Sequence, residues 1–207
     1  MKRTPEKRQA ILDAAAEEFR DKGYERASMS DIGLRTGFSK TTLYGYFGAK
    51  QTLLAALVDE ATESGVAAVQ AVLAGAGPDL AATLERFAGC YLSFALSPPV
   101  CSLRRVLAAG GGRSGLDPRC RDLGAARIDA ARAGYLRGQM EAGTLRGGDA
   151  RGSAQQFRAL LEASWFERVL FDCGAGPGPG QVEEEIAFAL AAFMRAWSHV
   201  LPLTNIP

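Results

Sequence analysis

The groups best suited to chemistry in this 207-residue chain stand together between Ser28 and Lys50, in the stretch SMSDIGLRTGFSKTTLYGYFGAK. Lys40, Thr41, Thr42, Tyr44 and Tyr46 put an ammonium, two hydroxyls and two phenols close together. Such donors meet phosphate oxygens and base edges, which makes nucleic-acid binding the chemistry to expect. Leu43 and Phe47, four residues apart, fall on the opposite face of a helix and leave those polar side chains to look outward. Enzymatic chemistry finds fewer parts. His199 is the only histidine, no G-x-S-x-G segment occurs, and Cys90, Cys101, Cys120 and Cys173 are too widely spaced for a zinc ribbon and too few for a disulfide scaffold. No catalytic residue, cofactor or metal is therefore expected. The cysteines read as small buried hydrophobes, with redox sensing as an alternative.

Positioning the Ser28–Lys50 groups takes a helix, a tight turn and a second helix. Ser28 and Asp31 have the spacing of a capping box, and Ile32 and Leu34 are expected to anchor the helix over Met29–Thr36. Gly37 ends it by allowing a left-handed backbone, and Ser39 caps a helix over Lys40–Phe47. Upstream, Thr4 and Pro5 start a helix that ends at Gly23. Its core face carries Ile11, Leu12, Ala15, Ala16 and Phe19, with Glu17, Glu18, Arg20 and Lys22 on the wet side. A three-helix unit this small needs support, and a long amphipathic helix over Ala49–Leu73 supplies it. Further helices are expected at Asp79–Leu96, Val100–Ala109, Pro118–Glu141, Asp149–Phe171 and Gln181–Leu201. Breaks fall at Pro98-Pro99, Gly110–Gly115, Gly143–Gly148 and from Gly174. The fold class is all-α, with about nine helices, divided into domains over residues 1–48 and 49–207.

Apolar residues make up 47% and charged residues 23%, as in ordinary globular proteins. No apolar run reaches a membrane span and no signal-like segment opens the chain, so a cytoplasmic location is expected. The net charge is +1, yet residues 1–50 hold ten Lys and Arg against seven Asp and Glu, and all five lysines lie there. This bias suits an end that meets phosphate.

The ordered set Ile11, Ala14, Ala15, Phe19, Gly23-Tyr24, Ile32, Thr36-Gly37-Phe38-Ser39, Thr42-Leu43-Tyr44, Phe47 and Lys50 resembles the TetR family of transcriptional regulators. From LERFAGCYLSFALSPPVCSLRRVLAAG onward the chain is similar to the AefR-like type of C-terminal domain in that family. The resemblance implies that Ser28, Tyr44, Tyr46 and Lys50 lie near backbone phosphates, and that Ser30, Lys40, Thr41 and Thr42 face the major groove, with Ser39 at the helix start. Gly45 falls where the family often has a base-contacting side chain, and Gly33 where alanine is usual.

With that resemblance, the expected function is a ligand-responsive regulator, a repressor leaving a palindromic DNA operator when a small, largely apolar effector binds. Phe87, Tyr91, Phe94, Leu103, Leu107, Tyr135 and Trp165, bulky and on the middle helices, are the candidate ligand lining. A two-fold site needs two copies, and Leu161, Trp165, Val169, Leu190, Phe193, Met194 and Trp197 are the candidate homodimer interface. A redox-sensing regulator and a helical small-molecule-binding protein or enzyme are the alternatives.

Overall fold

The structure is a computed structural model that describes residues 3–110, 124–171, 178 and 180–199. Ten helices form among them: α1 (Pro5–Lys22), α2 (Met29–Thr36), α3 (Lys40–Tyr46), α4 (Lys50–Ala74), α5 (Leu80–Ala95), α6 (Pro98–Gly110), α7 (Ala125–Glu141), α8 (Ala150–Glu162), α9 (Phe166–Phe171) and α10 (Gln181–Trp197). Their extended pairing is limited to an isolated antiparallel bridge between Leu145 and Ser198. The chain divides into two compact units. One holds the described residues within Met1–Glu63 and Pro98–Leu123, the other those within Ser64–Ser97 and Gly124–Pro207.

Local chemistry sets the helix ends of the first unit. Thr4 accepts the Lys7 N–H, Pro5 fills the first helical position without wasting a donor, and Gly23 turns the chain at φ 78°. Ser28 and Asp31 form the reciprocal box that starts α2, Gly37 leaves it at φ 70°, and Ser39 accepts the Thr42 N–H to start α3. Ile11, Leu12, Phe19, Tyr24, Ile32, Leu43, Phe47, Leu53 and Leu54 form the buried interior of this unit. Gly33 is buried too, and a Cβ there would come within 3.2 Å of the Phe38 carbonyl oxygen. The Gln9 amide donates to Glu60 at 2.7 Å, tying α1 to α4.

Two expectations fail in this unit. Leu34 does not anchor α2: it is 83% exposed, because Ile32, two residues earlier, already fills the inward position. Glu18 is not on the wet side but only 1% exposed, since Arg35 and Lys22 bring positive charge to it. A third difference concerns Pro98-Pro99. These prolines open α6 instead of breaking the chain, as first-turn positions need no N–H donor.

The second unit is built on a row of aromatic rings. Tyr91, Phe87, Phe157, Phe193 and Trp197 follow one another with centroid separations of 6.0, 6.2, 4.8 and 6.4 Å. α5 packs against α10, and α8 against both α7 and α10. Gly65 in α4 receives the Phe94 ring so closely that a Cβ there would stand 2.2 Å from Cδ2. The helix expected over Asp149–Phe171 is interrupted after Glu162. A turn closed by the Trp165 N–H on the Glu162 carbonyl carries the Trp165 side chain into the core, which outweighs local helix propensity. The helix expected to reach Leu201 ends at Trp197, and the expected helical segment 118–123 lies outside the described residues.

Candidate nucleic-acid interface and ligand core

α3 turns a polar face to solvent. Leu43 and Phe47 turn inward, while Lys40 and Thr41 are exposed and Tyr44 is 51% exposed. Gly45 has open space around it, so no side chain extends the surface there. Most of the remaining expected contacts are engaged in holding the helices and turns. The Ser39 and Thr42 hydroxyls bond each other at 2.9 Å. Ser28 is half-buried and its hydroxyl donates to the Asp31 carboxylate at 2.5 Å, while Ser30 is half-buried beside it. The Tyr46 hydroxyl accepts the backbone N–H of Thr4 at 2.7 Å, which fixes the start of α1 to the end of α3.

Lys50 departs furthest from the expected phosphate role. Its ammonium donates to the carbonyls of Tyr24, Glu25 and Ala27 at 2.6, 3.2 and 2.9 Å, and it lies 4.3 Å from the Tyr24 ring centroid. Burial pushes its pKa down. The turn between α1 and α2 presents three carbonyl oxygens that no helix satisfies, and Lys50 supplies their donors.

Sequence reasoning missed the charged clamp behind this surface. Arg35 reaches Glu18 at 2.5 Å, Asp21 at 2.6 Å and Glu17 at 3.1 Å, and Lys22 joins Glu18 at 2.6 Å to Asp31 at 3.3 Å. Lys22, and then Arg35, hold the Glu18 carboxyl below its ordinary range despite its burial. Asp31 is lowered first by Ser28 and then by Lys22. Glu18 and Lys22 are four apart on α1, a spacing visible in the sequence, but the reach of Arg35 across to α1 depends on the fold.

The seven candidate ligand residues do not share one unit. Leu103 and Leu107 lie on α6 in the first unit, where Leu103 joins Phe19, Leu57 and Val106 in lining a cleft of about 610 Å³ between α1, α4 and α6. Phe87, Tyr91, Phe94, Tyr135 and Trp165 belong to the second unit, buried in its core or packed against it. Among them stands a residue that the sequence reading passed over. Arg132 is 0% exposed, its guanidinium carbon 5.3 Å from the Phe87 centroid and 5.9 Å from that of Tyr91. Its Nη2 donates to Asp129, whose other oxygen meets Arg158 at 3.0 Å. Desolvation pulls the Arg132 pKa below its ordinary value, against the support of Asp129. One signal was available: Arg132 is four residues from both Ile128 and Leu136, so it occupies the core register of α7.

The expected dimer contacts are occupied within one copy. Leu161, Trp165, Val169, Phe193 and Trp197 are buried within a single copy, and Leu190 and Met194 pack against the same core. The apolar side chains left open on α9 and α10 are Phe166, Phe171 and Phe188. Cys90 is half-buried and Cys101 buried, and burial raises both thiols, opposing the thiolate form that oxidation needs. Cys120 and Cys173 lie outside the described residues. No described helix is long and apolar enough to cross a membrane.

A capped helix, a left-handed glycine and a second helix with an exposed polar face, on a helical second unit, define a helix-turn-helix regulator. The family model for bacterial regulatory proteins of the tetR family matches residues 11–57, and that for the C-terminal domain of AefR-like transcriptional repressors matches residues 82–199. The chain belongs to the TetR family. It is similar to the A-factor receptor protein of Streptomyces griseus, with 44% identity over 55 residues, 27% of this chain and 20% of that one. It is also similar to the HTH-type transcriptional activator FasR of Mycolicibacterium smegmatis, with 38% identity over 68 residues, 33% and 31% of the two chains. The matches thus span less than a third of these relatives. Among solved structures, the flavonoid-responsive regulator FrrA superposes with a TM-score of 0.77 at 26% identity, covering 96% of this chain and 100% of that one.

Proposed function

We propose that this chain is a cytoplasmic, homodimeric, ligand-responsive transcriptional repressor without enzymatic activity, which binds a palindromic operator through α3. The observation that carries the reading is the outward set Lys40, Thr41 and Tyr44 on a helix whose other face is buried. Lys40 and Thr41 are assigned to base edges and Tyr44 to phosphate, whereas Ser39, Thr42 and Tyr46 hold α3 itself, Ser28 caps α2 and Lys50 ties the turn before it. The AefR-like repressor match supports repression. The nearly full-length similarity to a flavonoid-responsive regulator supports control by a small molecule.

α4 contributes residues to both units, a single 25-residue helix of about 37 Å at 1.5 Å per residue. An effector that prefers one conformation of the second unit can therefore bias the first through α4, and a coupling of about 1–3 kcal/mol changes operator affinity roughly 5- to 150-fold. Pairing is assigned to the face of Phe166, Phe171 and Phe188, and sedimentation of Phe188→Asp should yield monomers. Selection of bound duplexes from a random pool tests the reading. A palindromic consensus is expected, and Lys40→Ala should relax base preference while leaving much of the nonspecific binding. Absence of any enriched sequence overturns it.

A further inference from the structure

We propose that Arg132 anchors the carboxylate head of the effector, which makes the ligand class an amphipathic acid with an apolar tail. The inference rests on the reading of the chain as a ligand-responsive regulator and deepens it. Arg132 is fully buried, yet its Nε and Nη1 find no acceptor among the described residues. Its one bonded nitrogen is held by Asp129, a carboxylate shared with Arg158. Tyr135, three residues on and thus on the same face of α7, has a buried hydroxyl also without a partner, and so does the indole N–H of Trp165. The unanswered groups are all donors.

A core rarely leaves several buried donors unanswered, because each loses its bonds to water and gains none. A molecule that brings acceptor oxygens answers them, and a carboxylate suits a guanidinium best. The surrounding charges permit it. Arg132 and Arg158 share Asp129, and the remaining acid facing the group, Glu162, already accepts the Tyr91 hydroxyl at 2.6 Å. The Phe87 and Tyr91 rings beside the guanidinium, with Phe157 packed on Phe87, suit an apolar tail. Tyr135 is half-buried as a residue while its hydroxyl is buried, on the face of α7 that carries Arg132.

The test uses the full chain without DNA and follows thermal unfolding and tryptophan fluorescence. The probes are decanoate and 2-naphthoate, each against its methyl ester, with decanol as a further control, all below micellar concentration. At least one acid should raise the Tm and bind about tenfold more tightly than its ester. Arg132→Met should abolish this acid preference, and Tyr135→Phe, a change of one hydroxyl, should reduce it several-fold. Equal binding of acid and ester, no binding of either acid, or an acid preference that survives Arg132→Met overturns the proposal. Should Arg132→Met fail to fold, the wild-type acid-to-ester ratio and Tyr135→Phe decide. Failure of duplex selection instead removes the regulator reading, an outcome independent of these DNA-free measurements.

Discussion

Glu18 in the first unit and Arg132 in the second are both withdrawn from water, and they are treated in opposite ways. Glu18 is met by Lys22 at one oxygen and by Arg35 at the other, and Arg35 is in turn shared with Glu17 and Asp21. Among the described residues Arg132 bonds one carboxylate, divided with a second arginine, and two of its nitrogens find no acceptor. A buried charge with complete partners fixes one arrangement of helices. A buried charge with incomplete partners keeps bonding capacity in reserve, which is costly in an empty core and useful in one that receives a ligand.

Substitutions can break or sharpen this contrast. The largest effect is expected from Glu18→Leu, which strips the clamp of its central carboxylate and should lower the Tm by on the order of 8 °C. The same clamp gives an acid response. The folded pKa of Glu18 lies below its ordinary value, so its contribution is present above the ordinary carboxylate range and is lost as pH falls through the folded value. The Tm of the wild type should therefore drop in acid more steeply than that of Glu18→Gln. Lys50→Met comes next. It leaves three carbonyls without their donor and should cost about 1–3 kcal/mol, seen as a lower denaturant midpoint. Arg132→Met should have the smallest effect, a Tm within about 3 °C of wild type, because an apolar group replaces an incompletely bonded charge and Asp129 keeps Arg158. If Arg132→Met destabilises as much as Glu18→Leu, the two sites are the same kind of structure and the contrast is lost.

The reading unit was largely legible in the sequence because its determinants are local. Thr4, Ser28 and Ser39 cap within three residues of themselves, and Gly23 and Gly37 need only their own backbone angles. The second unit was legible as helices but not as contacts. Nothing near Trp165 announces the turn that breaks the expected helix, since the gain comes from rings on other elements. The same holds for Leu103 and Leu107, which share a bulky apolar character with Phe87 but belong to a different unit. The structural part of Lys50 was hidden for a related reason. A lysine at a helix start suits phosphate by type, and only the folded turn shows three carbonyl oxygens gathered around it.

The glycine at position 65 gives the long helix a mechanical character of its own. Phe94 fills the place of the missing Cβ, so α5 packs closely on α4 at its one glycine, where helix propensity is lower by up to about 1 kcal/mol relative to alanine. The helix behaves there like a beam with a notch. A bend at Gly65 should cost less than one elsewhere along the helix. Its backbone amides just beyond Gly65 should accordingly exchange with solvent sooner than those around Leu53 and Leu54, marking the turn at which the helix yields.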